Sequence, residues 1–298
     1  MNARECQLAK PVAVKSPLAC YIELTKPGIV GLSIVAALTG MYFANKGIMP
    51  QWDTLLWTFL TLGMAVAGSC MLNQYYDRDI DKLMKRTSTR PLVAGLVSPR
   101  RALATALALI ASSLVLMVVF VNLPATLLTA GAVLGYGIIY TMIVKRRSHW
   151  ANQFGGIAGA MPPVIGYAAV SGGLDINALT LFLIMVVWQQ PHALSLALKY
   201  REEYARAGIP VVPVVKGVQA TKKKIATYSA ALLLASLLPY VFGMAGPVYL
   251  ATAIGISSAF LFQAVKFLRS DRDCNMRLFF YSIVYLVVLF TSMVYDSL

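Results

Sequence analysis

Long apolar runs recur along the whole chain, separated by short polar stretches. Nine stand out, at about 28–45, 54–76, 102–121, 124–144, 152–171, 177–199, 225–243, 246–268 and 278–296. Each is roughly 18 to 23 residues long, enough for a helix to cross the hydrocarbon core of a bilayer. The runs are continuously apolar and do not alternate, which predicts helices and not barrel strands. The expected fold is an all-α integral membrane protein of about nine transmembrane helices. No linker is long enough to separate a second domain, so residues 28–298 read as one transmembrane domain behind an N-terminal segment, residues 1–27.

Composition agrees. Of the 298 residues 58% are hydrophobic and only 13% charged, where a soluble domain carries about a quarter charged. The formal net charge of +14 could suggest nucleic acid, but its placement does not. Of the 26 basic residues, 25 lie before the first run or after the second, fourth, sixth and eighth; Lys46 alone lies on the other side. This positive-inside pattern predicts a cytoplasmic N-terminus and, after nine spans, an outside C-terminus. Basic flanks also favour anionic lipid headgroups. The first 27 residues lack a short apolar core with an A-x-A-like site, so no cleavable signal peptide is expected. Cys6, Cys20, Cys70 and Cys274 show no metal or redox spacing and are read as reduced and structural.

Three polar constellations interrupt the apolar pattern. The first closes the second run, Asn73-Gln-Tyr-Tyr-Asp77-Arg-Asp79-Ile-Asp81, and continues to Lys85-Arg86 and Arg90-Pro91. Asn73, Asp77 and Asp81 are four apart and fall on one helix face over about two turns. Oxygen ligands so placed suit Mg²⁺ carrying a phosphorylated substrate. Arg86 and Arg90 could grip diphosphate oxygens in bidentate fashion. Asp79 points to the opposite face and reads as a solvated charge, and Asp81 could pair locally with Lys85. The second constellation runs from Tyr140 to Lys145-Arg146-Arg147, where a phosphate role competes with simple anchoring of the helix end. The third is Trp188-Gln-Gln-Pro191-His192, followed by Lys199-Tyr-Arg-Glu202-Glu203-Tyr204. Pro191 should kink its helix, and the polar residues at the kink could line a cavity or join helices. Lys199 and Glu203 could pair with each other. Alternatively, Glu203 faces a metal and Lys199 a phosphate. The loops at roughly 77–101 and 200–224 lie about 125 residues apart, which suggests two related helical halves converging on one site.

Together these blocks resemble the UbiA superfamily of intramembrane prenyltransferases. The superfamily pattern N-x-x-x-D-x-x-x-D stands as Asn73, Asp77 and Asp81. NQYYDRDIDKLMKRTSTRPLVAG, YTMIVKRR, GAMPPVIGYAAVSG and WQQPHALSLALKYREEYARAGIPVVPVV are similar to the protohaem IX farnesyltransferase (haem O synthase) branch, as is the opening Thr25-Lys26-Pro27-Gly28. The likeness covers nearly the whole chain from about residue 21. It implies transfer of farnesyl from farnesyl diphosphate to a vinyl group of protohaem IX, giving haem O and diphosphate, with Mg²⁺ as cofactor. Asn73, Asp77 and Asp81 would hold the metal, with Glu203 also in the catalytic set. Lys26, Arg86, Arg90, Lys145, Arg146 and Lys199 would hold diphosphate, and His192 and Tyr140 would contact haem. Whether His192 touches substrate, ligates iron or moves a proton stays open. The implied setting is the bacterial cytoplasmic membrane with the site on its inner side. Haem A synthase or a terminal oxidase would be candidate recipients of the product. The second aspartate-rich motif of quinone-making relatives is replaced here by Lys199-Tyr-Arg-Glu202-Glu203, with Glu203 where the branch often has Asp.

Alternatives are a UbiA-type enzyme acting on a quinone precursor, a secondary transporter and a non-catalytic haem-binding assembly factor. The third constellation argues against the first. The gathering of polar groups at one end of spans two, four and six, with no midplane ion path, argues against the second. A binding factor would leave the diphosphate-type residues without a use.

Overall fold

In the computed structural model, which describes residues 16–297, the helices are α1 (Pro17–Thr25), α2 (Pro27–Ala44), α3 (Trp52–Asp81), α4 (Pro99–Phe120), α5 (Leu123–Leu134), α6 (Ala151–Gly159) and α7 (Met161–Ser171). The remaining ones are α8 (Ile176–Lys199), α9 (Arg201–Arg206), α10 (Val212–Val215), α11 (Gly217–Ala235), α12 (Leu238–Val241), α13 (Pro247–Leu268) and α14 (Met276–Tyr295). A π-helical segment, Gly135–Val144, continues α5. Among the described residues nine helical stretches are long and apolar enough to span a membrane. Several start with proline at a first helical position, as at Pro17, Pro27, Pro99 and Pro247, where the missing N–H would have no helical partner anyway. Cys20, Cys70 and Cys274 are free thiols, and Cys6 lies outside the described residues.

The apolar pattern finds every span but misplaces some ends, because it sees only the part that meets lipid. α3 continues past Tyr76 to Asp81, so the acidic motif is helical. α11 begins at Gly217, not near 225, and takes Lys222 into the protein, where its Nζ donates to Ser270 O at 2.8 Å. The fifth span breaks between α6 and α7, just before Pro162-Pro163. α8 runs unbroken through Pro191.

Large apolar side chains such as Leu32, Val35, Val119, Leu127, Phe262 and Val284 face outward, as a lipid-facing surface requires. Inside, α2 and α7 meet through glycines. A Cβ on Gly40 would collide with Pro163 O, and one on Gly166 with Ala37 O. This is close packing by small residues, suited to a bilayer where apolar burial gives helices no drive to associate. The largest core cluster joins α8, α11, α13 and α14. A separate cluster of Ile80, Met84, Ala207, Ile209 and Val211, with Tyr204 and Val214 against it, packs the chain after α3 onto the chain after α8. The two expected loops therefore meet, over the polar end of α3.

Candidate active site at the polar end of the bundle

Asn73, Asp77 and Asp81 share one face of α3 and are 4%, 1% and 2% exposed. Charges so deeply buried need partners, and neighbouring elements supply them. Asn73 Nδ2 donates to Asp77 Oδ2 at 2.8 Å and to Thr141 Oγ1 at 3.2 Å. Lys145 forms an ion pair with Asp77 Oδ2. Arg90 Nη1 donates to Asp81 Oδ2 at 2.5 Å. Lys26 Nζ reaches Asn73 Oδ1 at 3.4 Å. One atom is left over: Asp77 Oδ1 is buried and has no hydrogen bond among the described residues.

Each partner is delivered by a particular piece of local structure. Lys26 ends α1 and precedes α2 with φ of 52°, a left-handed backbone uncommon outside glycine. Gln74 Nε2 anchors this corner by donating to Leu24 O at 2.8 Å. Arg90 is brought back by consecutive turns after α3, where Thr87 Oγ1 donates to Asp81 O at 2.9 Å and Arg90 N to Thr87 O at 3.1 Å. Thr141 lies in the π-helical segment and Lys145 caps it; the wider turn bonds Thr141 Oγ1 to Tyr136 O and Lys145 N to Tyr140 O. Such segments recur at functional sites because they re-aim side chains that a regular helix would place elsewhere.

Lys26, Asn73, Asp77, Asp81, Arg90 and Lys145 line a cavity of about 170 Å³ together with Arg86, Tyr136, Tyr140, Asn152 and Tyr204. Four basic groups thus face two carboxylates, a surplus suited to an anion. Burial pushes the Lys26 ammonium below its usual range, and nearby Arg90 and Lys145 push the same way. Burial also works against charge on Lys145, but the Tyr140 oxygen and Asp77 outweigh it and hold that ammonium above its usual range. A second cavity of about 240 Å³ adjoins the first and is mostly apolar, lined by Ile29, Leu62, Val66, Val133 and Ile165 among others. Tyr136 lines both.

Of the residues singled out in the sequence, Lys26, Asn73, Asp77, Asp81, Arg86, Arg90, Tyr140 and Lys145 come together in the polar cavity. Four others do not line it. Arg146 turns away to Asp79 through bonds of 2.6 and 2.7 Å and to Tyr76 O; the bond to Asp79 keeps its pKa above the ordinary value. Asp79 is thus paired outside the site, as its position on the opposite face suggested. Glu203 Oε2 accepts the backbone N–H of Arg86 at 3.2 Å, tying the two loops together. The Lys199 ammonium sits over the Tyr200 ring at 5.2 Å. His192 stacks between Trp188 and Phe279, with Nδ1 2.7 Å from Ser282 Oγ. That hydroxyl already donates to Phe279 O, so it accepts from His192 Nδ1–H and leaves Nε2 as the acceptor nitrogen. Asp81 pairs with Arg90 and not with Lys85. Tyr136, Tyr204 and Asn152 also line the cavity without having been singled out for it. Tyr136 lies four residues before Tyr140, so ordinary helical spacing was the signal that could have found it.

The UbiA prenyltransferase family model matches residues 33–289. The chain belongs to the UbiA prenyltransferase family. Among UbiA relatives, the protoheme IX farnesyltransferase of Aquifex aeolicus is 48% identical over 93% of this chain and 94% of its own. Protoheme IX farnesyltransferase 1 of Pseudomonas putida is 43% identical over 93% of each chain. A structure of digeranylgeranylglyceryl phosphate synthase superposes with a TM-score of 0.79 at 17% identity, covering 94% of this chain and 98% of that one. A UbiA homologue from Archaeoglobus fulgidus bound to DMAPP and Mg²⁺ gives 0.62 at 20% identity, over 92% and 98%. At these identities the two structures speak for the UbiA fold.

Among the described residues no three His, Cys, Asp or Glu side chains gather as a metal cage. Two carboxylates and an amide are instead an incomplete oxygen set. Mg²⁺ accepts such a set when phosphate oxygens and water supply the rest. The unpartnered Asp77 Oδ1 fits that role, since a buried carboxylate oxygen without a donor is otherwise costly.

Proposed function

We propose that this protein is a farnesyltransferase that transfers the C15 group of farnesyl diphosphate to a vinyl group of protohaem IX, giving haem O and diphosphate. The observation that carries the reading is a cation-lined polar cavity opening beside an apolar one, in a chain up to 48% identical to protoheme IX farnesyltransferases along nearly its whole length. Diphosphate belongs in the first cavity and the isoprenoid tail in the second.

Asn73, Asp77 and Asp81 would hold Mg²⁺, which when bound offsets charge on the departing diphosphate. Lys26, Arg86, Arg90 and Lys145 bind and orient the diphosphate oxygens and stabilise the negative charge that grows on them as the bond to C1 breaks. Arg90 and Lys145 are held for this by the same carboxylates, so the anion meets donors already in place. Tyr136 and Tyr140 stack with ring centroids 5.3 Å apart beside the cavity, where their faces stabilise positive charge on the allylic group. The apolar walls keep water from that group until the vinyl π electrons form the new carbon–carbon bond. His192, with Nε2 unengaged among the described residues, would contact the porphyrin. Glu203 acts by fixing Arg86 in place. Lys199 would serve at the rim, beyond the cavity lining, whereas Arg146 pairs with Asp79 outside the site.

In this reading the active site faces the cytoplasm, the C-terminus lies outside, and residues 28–298 form one catalytic domain in a bacterial inner membrane behind the segment 1–27. Haem A synthase or a terminal oxidase would receive the product. The test is turnover of purified protein in lipid with farnesyl diphosphate, Mg²⁺ and either protohaem IX or 4-hydroxybenzoate, read by chromatography and mass spectrometry. Farnesylated haem is the expected product. Prenylated benzoate in its place would move the chain to the quinone-making branch.

A further inference from the structure

The contact between α6 and α8 holds polar atoms that the fold leaves unused. Among the described residues, Gln190 is 2% exposed and its Oε1 has no hydrogen bond. Gln153 has both Oε1 and Nε2 buried and without a partner among the described residues. A bilayer protein seldom strands three such atoms unless something else fills the gap. The approach is close because α6 offers glycines there. A Cβ on Gly156 would lie 3.1 Å from Gln190 Nε2, and one on Gly159 would lie 2.8 Å from Gln189 Oε1. Gln153 stands one turn before Gly156. The place is also the junction of the two cavities: Ala151 and Asn152 line the polar one, Gly155, Gly159 and Gln189 the apolar one. A substrate with its head in the first and its tail in the second has its reacting carbon at this junction, where Gln153 follows Asn152 of the polar lining and Gln190 follows Gln189 of the apolar one.

The chemistry requires a group there. When farnesyl C1 loses diphosphate and bonds to the terminal vinyl carbon, positive charge is left on the vinyl carbon attached to the porphyrin ring. The hydroxyl of the product is completed only by water at that carbon, and a buried water needs two to four polar partners. We propose that Gln153 and Gln190 hold the water that captures this second cation. The amide oxygens accept its hydrogens and turn an oxygen lone pair toward the cation. The lone pair forms the C–O bond, and a water proton leaves to the diphosphate released in the same turnover. Without a held water, the cation loses a proton from the adjacent CH₂ and becomes an alkene with no hydroxyl.

The inference rests on the reaction proposed above, and its test separates the two. Full-length Gln153→Met and Gln190→Met, close to glutamine in size but without the amide, are assayed in lipid with farnesyl diphosphate, Mg²⁺ and protohaem IX. The readout is the ratio of hydroxylated to dehydrated farnesyl haem by mass spectrometry. Dehydrated product should rise about tenfold, the ratio expected for loss of one hydrogen bond to the water. Gln153→Glu, which keeps the acceptors, should stay near the wild-type ratio. An unchanged ratio in the methionine variants overturns the inference. So does a variant that gains thermal stability from farnesyl diphosphate as the wild type does but forms neither product. If one variant does not fold, the other carries the test. A wild type that makes no farnesyl haem overturns the reaction itself.

Discussion

Residues of the same charge have different work here, and their neighbours decide it. Arg90 and Arg146 each hold a carboxylate, but Asp81 is 3% exposed at its side chain and Asp79 is 61% exposed. The exposed pair contributes less than about 1 kcal/mol to stability and lines neither of the two cavities. Arg90→Ala removes a cavity cation and leaves Asp81 buried without its partner. It should raise KM for farnesyl diphosphate by about tenfold or more, whereas Asp79→Ala and Arg146→Ala should alter steady-state rates by less than about twofold. Kinetics of the three variants in lipid check this, and equal effects would contradict the site boundary drawn here. The four-residue spacing of Asn73, Asp77 and Asp81 was legible in the sequence because a helix makes such spacing a face. That Arg146 turns outward while Lys145 turns inward was not, because the side-chain direction depends on the π-helical register just before them.

Elements were legible wherever lipid imposes a continuous apolar run, and obscure where protein covers polar turns. All nine spans could be read, but the last turns of α3 and the first turns of α11 extend beyond the apolar signal. The break between α6 and α7 is marked by Pro162-Pro163, and only the structure shows what it achieves: α7 lies against α2 across glycine. Gly166→Val forces that contact apart, since its Cβ has no room against Ala37 O. It should lower the midpoint of thermal unfolding in detergent by several degrees, with Gly172→Ala, strained only in its own backbone at φ 68°, costing less. The reverse order of the two variants would count against the packing described.

For the whole molecule, the polar cavity is assembled from spans two and four, the start of span five, Lys26 before span one and the loops that follow spans two and six. The convergence of the two long loops could be anticipated from where they follow those spans. The pocket's floor and its apolar neighbour could not, because they are formed by helices distant in sequence. In the proposed function a metal-assisted hold on diphosphate would centre on Asp77, whose Oδ1 is buried and without a hydrogen bond among the described residues. The direct measurement is farnesyl diphosphate binding by calorimetry to the protein in lipid nanodiscs, with Mg²⁺ or with chelator, for wild type and Asp77→Ala. Wild-type affinity should fall at least about tenfold without Mg²⁺, and the variant should bind weakly and equally with or without the metal. A wild type indifferent to Mg²⁺, or an Asp77→Ala protein that keeps the full metal effect, would contradict the account.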